Sequence, residues 1–252
     1  MPTQSSFPNN MEIIKCPLCN CPVRIVRRDD GAADHYEAVE DFHQIPNPIS
    51  PILASFLKAE RRGKRIIAIV GSSWTSGPWA PWGEDGVEVW GMNDLHGLPW
   101  YKIEGVTKWF QMHDKGSFAK KRKHNHWEWL QEKHPFPIYT LQKLDDVPNS
   151  VSYPLREVQR ELIVYRGEEK IEKLFSSTMC YQMALALYED EVDRIEIYGI
   201  ELIGEGRYAY QREGLAFWMG KADGMGVEVW MPEACALLDV PLYGYETKVG
   251  EH

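Results

Sequence analysis

The chain has 252 residues, a formal net charge of −9, 44% hydrophobic and 26% charged residues. That length holds one large domain, or one domain plus a small appendage. No apolar run reaches the ~18 residues of a membrane span. The acidic balance weighs against a general nucleic-acid binder, which needs clustered positive charge on phosphates.

Residues 1–10 (MPTQSSFPNN) read as a flexible polar tail. They carry neither a charged n-region nor an apolar h-region, so the expectation is a cytoplasmic chain without a secretory signal. Three of the five cysteines crowd into CPLCNC at 16–21. An odd count clustered this way suits a reducing compartment and a metal better than a disulfide framework. Cys16-x-x-Cys19 is a knuckle suited to tetrahedral zinc. A strand, a DDG turn and His35 follow. An appendage over 11–40 built as a small zinc ribbon would use Cys16, Cys19 and His35, with Cys21 or a carboxylate as fourth ligand. The competing reading is a reduced, metal-free β-hairpin.

Residues 41–62 hold Pro46, Pro48 and Pro51 and read as a linker leading into a short helix over 52–62 that stops at Gly63. From 63 to 240 strand and helix patterns alternate. The strand patterns are IIAIV (66–70), VEVWGM (87–92), VTKWFQM (106–112), FPIYTL (136–141), RIEIYGI (194–200) and VEVWM (227–231). The helix patterns are 126–134, 155–162, 177–191 and 212–222. Such alternation predicts an α/β, Rossmann-like, mostly parallel sheet with helices on both faces. The pentapeptide GVEVW occurs at 86–90 and 226–230, and each copy reads as a strand entered from a glycine turn. Residues 241–252 form a C-terminal tail. The ten tryptophans either fill the core or line a pocket that stacks on bases or sugars.

Open parallel sheets bind ligands beyond the carboxyl ends of their strands. The candidate residues are therefore those that follow each strand. Gly71, Ser72 and Ser73 follow the first. Their loop, GSSWTSGP, has neither the dinucleotide GxGxxG nor a Walker lysine. Gly71 allows close backbone approach, and the serines can bond phosphate or ribose; the plain alternative is a capped turn. Asn93 and Asp94 follow the second strand and can hold a base or ribose edge, or simply cap a turn. His113 and Asp114 follow the third, as a candidate base and its orienter. His96 sits where it could meet His113 across a pocket mouth. Ser176, Ser177 and Thr178 open the 177–191 helix, a ready anion site. The basic run at 120–123 could attract phosphates, or be a solvated segment before a helix.

Taken in order, the strand ends GSSWTSGP, MND and QMHD, then SSTMCYQMALALYEDEVDRIEIYGIEL and GRYAYQ, resemble a Rossmann-like group. It includes the family 42 sialyltransferases and the MptE-like proteins. They are similar also to a set of bacteriophage proteins with a Trp-rich first loop. The resemblance covers about 65–235. It implies that Gly71, Ser72, Ser73, Asn93, Ser176, Ser177 and Thr178 surround a nucleotide, that Glu201 stands where the family has its Asp, and that Tyr208 and Tyr210 are lid aromatics. Two departures bear on the reaction. The sialyltransferases carry a catalytic His after the Asp-bearing strand, but residues 201–232 contain none. The first loop carries Trp74, Trp79 and Trp82 instead of the family's Asn.

The expectation is a nucleotide- or nucleotide-sugar-dependent, glycosyltransferase-like transferase, phage-encoded and working in the host cytoplasm. His113 is the first choice of base and His96 the second. The expected partner is a small nucleotide ligand, with no membrane; nucleic acid is not favoured, and oligomeric state is open. The alternatives are a binding protein that captures a nucleotide or signal molecule without turnover, and a nucleic-acid-associated accessory factor.

Overall fold

In the computed structural model the described residues are 11–15, 22–26, 35–38, 51–118, 125–163, 174–189, 191–203 and 206–240. The chain divides into two compact units, Met1–Pro48 and Ile49–His252. In the first, β1 (Met11–Lys15), β2 (Pro22–Val26) and β3 (His35–Ala38) form an antiparallel sheet in that order. His35 pairs with Val26 across β2 and β3. Cys16, Cys19 and Cys21 lie outside the described residues, as does the basic run at 120–123.

The second unit is built on seven strands. They are β4 (Ile66–Val70), β5 (Val87–Met92), β6 (Val106–Gln111), β7 (Ile138–Thr140), β8 (Ser150–Ser152), β9 (Arg194–Tyr198) and β10 (Glu228–Trp230). Their order is β10-β9-β4-β5-β6-β7-β8, and every pairing is parallel. A parallel strand buried on both faces reads as a continuous apolar run. Accordingly all five residues of β4 are buried. The two GVEVW copies are the starts of β5 and β10, and their glycines, Gly86 and Gly226, both take positive φ (81° and 78°). β4 has the β5-to-β8 progression on one side and β9 and β10 on the other. The strand order therefore reverses between β4 and β9, the topological switch point of a doubly wound sheet.

The two faces are covered differently. One carries α4 (Leu155–Leu162), α5 (Thr178–Tyr188) and α6 (Arg207–Gly224). Nine of the eleven residues of α5 are buried, so this helix is apolar nearly all round and fills the middle of its layer. Met183, Leu185 and Leu187 meet Ile67, Ile69 and Trp90 in that core. The opposite face carries α3 (His126–Gln131) and long irregular connections. No α-helix links β4 to β5 or β5 to β6; the links hold only the short 3-10 turns Gly77–Trp79 and Leu95–Gly97. Aromatic rings take the place of the missing helices. Trp74, Trp79, Trp82, Trp100, Tyr101, Trp109, Trp127 and Trp129 pack on this face around Ile66, Ala68 and Val89. Two glycines admit the rings: a Cβ on Gly91 would lie 2.3 Å from the Trp109 ring, and one on Gly77 2.4 Å from Trp100. Together with Trp90, Trp218 and Trp230, all ten tryptophans lie in one of the two cores or, partly buried, pack against it.

α1 (Pro51–Glu60) ends just before Arg61, whose guanidinium reaches β9 on that same aromatic face. Its Nε and Nη2 donate to the two carboxylate oxygens of the fully buried Glu196 (3.0 and 2.6 Å), and Nη1 donates to Glu84 (2.5 Å). Tyr198 donates to the same carboxylate at 2.7 Å. Burial opposes the charge on Arg61, but the Glu196 hydrogen bond and the nearby anions outweigh it and raise its pKa. Such a pair fixes α1 to the sheet because a half-pair left in the interior is costly.

Candidate functional site

The carboxyl end of the sheet gathers most of the sequence-predicted residues, and topology alone puts them there. Helices that precede or follow a parallel strand run antiparallel to it, so α5 and α6 begin at the edge where β4, β5, β6 and β9 end. Gly71–Ser73, Asn93–Asp94, His113–Asp114, Ser176–Thr178, Glu201, Tyr208 and Tyr210 all lie on this rim.

At the switch point the loops after β4 and β9 are joined backbone to backbone. Gly71 N–H donates to Tyr198 O (2.8 Å), and Ser73 N–H donates to Gly199 O (2.9 Å). Gly199 N–H donates to the hydroxyl of the buried Ser76 (2.8 Å). Ser73 and Thr75 share a hydroxyl bond of 2.7 Å. Thr75 in turn donates to Glu201 Oε1, and Ala236 N–H donates to Glu201 Oε2 (2.8 Å). Glu201 thus staples the loops that follow β4, β9 and β10. Of the loop's first two serines, Ser72 is exposed and Ser73 half-buried.

Asn93 takes φ +51°, a left-handed conformation that Asn tolerates better than most residues. Its N–H donates to Phe110 O (3.0 Å), and its carbonyl accepts from the Trp109 indole (3.2 Å). Its side-chain Oδ1 is buried without a hydrogen-bond partner, an acceptor available to a ligand. Asp94 precedes the Leu95–Gly97 turn.

His96 and His113 are connected. His96 Nε2 and His126 Nδ1 are 2.9 Å apart, His126 Nε2 and Gln111 Oε1 2.8 Å, and Gln111 Nε2 and His113 Nδ1 3.2 Å. Gln111, the last residue of β6, and His126, the first of α3, are both fully buried. Stacking holds the outer end in place, since the His96 ring lies 4.2 Å from the Trp129 ring at an interplanar angle of 1°. His113 is exposed at the other end. Asp114 opens α2 (Lys115–Phe118), its carbonyl accepting from Ser117 N–H (3.0 Å).

On the helical side, Ser177 is the N-cap of α5, and its hydroxyl contacts Cys180 Sγ at 3.2 Å instead of capping the helix. Ser176 donates to Tyr210 O (3.0 Å), which ties α5 to α6. A Cβ on Gly214 would lie 2.2 Å from that hydroxyl. Thr178 is buried. Tyr208 is half-buried against the α5–α6 core, and Tyr210 is 53% exposed. Among the described residues no cluster of three or more His, Cys, Asp or Glu could hold a metal. Among them also, no helix is long and apolar enough to cross a membrane.

Gln111 and His126 are the site residues that sequence reasoning missed. One signal was available. Gln111 has the same strand parity as Trp109, so a polar residue was due on the buried aromatic face at the strand's end. His126 gave no such signal, because it follows a basic run and only the fold brings it beneath His96.

These features define a class: a doubly wound, parallel α/β protein with a polar, histidine-bearing rim at its strand ends. No protein-family model matches the chain, and no curated protein matches it. Among solved structures it is similar to the sialyltransferase CstII from Campylobacter jejuni in complex with a substrate analogue, cytidine-5'-monophosphate. The sequence identity is 10% and the TM-score 0.42, covering 68% of this chain and 80% of that one. It is similar also to alpha-2,3-sialyltransferase from Campylobacter jejuni in apo form, at 13% identity and TM-score 0.43, covering 69% of this chain and 76% of that one.

Proposed function

We propose that the chain is a nucleotide-sugar-dependent transferase of the glycosyltransferase type, with its site on the carboxyl rim of the parallel sheet. The observation that carries this reading is the linked pair His96 and His113 beside Asn93, whose side-chain oxygen is buried and unpartnered. Transfer to a hydroxyl needs a group that takes the acceptor's proton and donors that meet the charge on the departing phosphate. The histidines supply the first. Ser72 and the orphan N–H groups at the start of α5 supply the second. Asn93 and Asp94 would hold the base or ribose, and Tyr208 and Tyr210 would shape a lid. The motif order shared with the bacteriophage proteins supports a phage origin and action in the host cytoplasm.

The test is product formation from a panel of nucleotide-sugars, with nucleotide binding followed by thermal shift; cytidine-5'-monophosphate belongs in the panel. His96→Ala and His113→Ala should each lower kcat by about 100-fold to 10,000-fold while nucleotide still raises the melting temperature. Tight nucleotide binding without turnover from any donor would turn the reading into nucleotide capture. If no nucleotide shifts the melting temperature, the site is misassigned.

For the amino-terminal unit we propose a structural zinc ion on Cys16, Cys19, Cys21 and His35, supported by the Cys-x-x-Cys spacing. Cys16→Ser/Cys19→Ser should abolish zinc in metal analysis; unchanged content sinks the site.

A further inference from the structure

Helix α6 buries one side and leaves the other uncovered. Leu215, Trp218, Met219 and Ala222 face the core. Tyr210, Glu213, Phe217, Gly220 and Gly224 are all exposed. Their spacing alternates between three and four residues, which draws a straight stripe along the helix. Phe217 lies at the middle of the stripe, 38% exposed, and Tyr210 at its rim end, 53% exposed. A single exposed apolar residue is ordinary, whereas two large rings on one line make a contact surface. The glycines add to this. Gly214 is required by the Ser176 hydroxyl, which lies 2.2 Å from where its Cβ would be. A Cβ at Gly220 or Gly224 would meet nothing within 4 Å. Glycine weakens a helix interior relative to alanine, and packing within the described chain gives no reason for it at Gly220.

The charges beside the stripe point to what covers it. Glu213 and Lys221 stand four residues before and after Phe217. At about 100° per residue they lie about 40° to opposite sides of it. A two-fold axis through Phe217 therefore sets Glu213 of each copy over Lys221 of the other. The same axis sets Phe217 against Phe217 and Tyr210 over Gly224. A parallel pairing would bring Glu213 against Glu213 instead. Among the described residues no ion pair uses Glu213 or Lys221.

We propose that α6 packs antiparallel on α6 of a second copy of this chain, forming a two-fold dimer centred on Phe217. Two-fold symmetry demands a self-complementary surface, and this stripe is one. Phe217 and Tyr210 supply apolar area, Gly220 lets the backbones approach, and the two Glu213–Lys221 pairs fix direction and register. One helix pair buries less than the about 1,600 Å² of a standard interface, so the dimer exchanges with monomer. Because α6 starts at the carboxyl rim, antiparallel pairing turns the two rims to opposite ends of the dimer. The pairing does not depend on the transferase reading.

The experiment is sedimentation velocity of the full chain over a concentration series at low ionic strength. The parent chain should dimerise reversibly. Glu213→Lys alone and Lys221→Glu alone should each weaken the dimer about 10-fold or more. Mixing these two variants should restore it, because one then carries two cations beside its stripe and the other two anions. Gly220→Leu has room in the monomer, so it should abolish the dimer and leave the far-UV circular dichroism unchanged. If that variant does not fold, the mixing experiment decides alone. A chain that stays monomeric up to about 1 mM overturns the proposal and leaves the stripe to a different protein. So does a dimer indifferent to the charge variants, or a mixture that recovers nothing.

Discussion

At Gly71 and Gly199 two stretches of backbone meet with no room for a methyl group. A Cβ on Gly71 would lie 2.4 Å from Gly199 O, and one on Gly199 would lie 2.5 Å from Gly71 O. Gly199 also takes φ +63°. Gly199→Ala is therefore expected to cost more than the ~1–3 kcal/mol of ordinary overpacking, because backbone strain adds to the clash. Urea unfolding at constant m-value measures it, and a loss under ~0.5 kcal/mol would show that the contact is soft. The cysteines of the second unit give another residue-scale outcome. Cys180 and Cys235 are both buried. Burial raises the Cys180 thiol despite hydrogen bonds from Ser177 and Ser176, and pushes Cys235 to about 11. With Cys16, Cys19 and Cys21 replaced by serine, a thiol reagent should react with neither in the native chain and with both in denaturant. Sequence could name Gly71, Asn93, His96 and His113 because each follows a strand. It could not show that Ser73 would bond Thr75 or that Ser76 would cap Gly199, since hydroxyl partners are chosen by loops that meet only in the fold.

At the scale of elements, strands with unbroken apolar runs were legible. β4, β5, β6, β7, β9 and β10 all fall within their predicted stretches. β8 was not foreseen. It has three residues, of which Val151 and Ser152 are exposed, so an edge strand held by one neighbour left no apolar run to read. α4 matches its predicted span, while α6 begins at Arg207, five residues before the predicted start at 212. The largest difference lies in the crossovers, where tryptophan-rich loops stand in for helices between β4, β5 and β6. Periodicity has nothing to report in such loops, because the packing is by large rings at irregular spacing. α5 is the element on which the helical layer depends. Leu185→Ala, at 2% exposure, should cost about 2–5 kcal/mol. Arg156→Ala on the exposed side of α4 should stay within about 0.5 kcal/mol. Equal effects from the two would contradict the assigned burial.

At the scale of the whole molecule, several ion pairs among the described residues lie where strands begin. Glu88 accepts from Arg65 Nε (2.9 Å) and lies 3.4 Å from Lys108 Nζ, while Glu189 receives Arg65 Nη2 and Lys108 Nζ, each at 3.0 Å. Burial would raise the Glu88 pKa, but the Arg65 hydrogen bond and the two cations outweigh it and hold the carboxyl below its usual 4.5. Glu228 is lowered in the same direction, chiefly by its hydrogen bond from Arg194. A depressed folded-state pKa contributes stability that is complete above the unfolded value and lost as pH falls through the folded one. Stability should therefore be flat above about pH 4.5 on this account and fall below it. Denaturant midpoints between about pH 7 and pH 3 should show a shallower acid loss in Glu88→Gln than in the parent chain. An identical slope would remove Glu88 from the acid response.

Sequence by itself determined the α/β class and the edge of the sheet at which the candidate residues gather. Apolar runs, glycine entries and amphipathic stretches are local properties, and a parallel sheet has only one carboxyl end. Tertiary structure alone decided how the rim is wired. Gln111 and His126 are fifteen positions apart and carry no motif, yet the fold sets them between His96 and His113. The role of the tryptophans was settled there too. Their rings fill the face that helices leave open, because volume on a sheet surface can be occupied by any apolar group that reaches it, whatever its spacing in the chain.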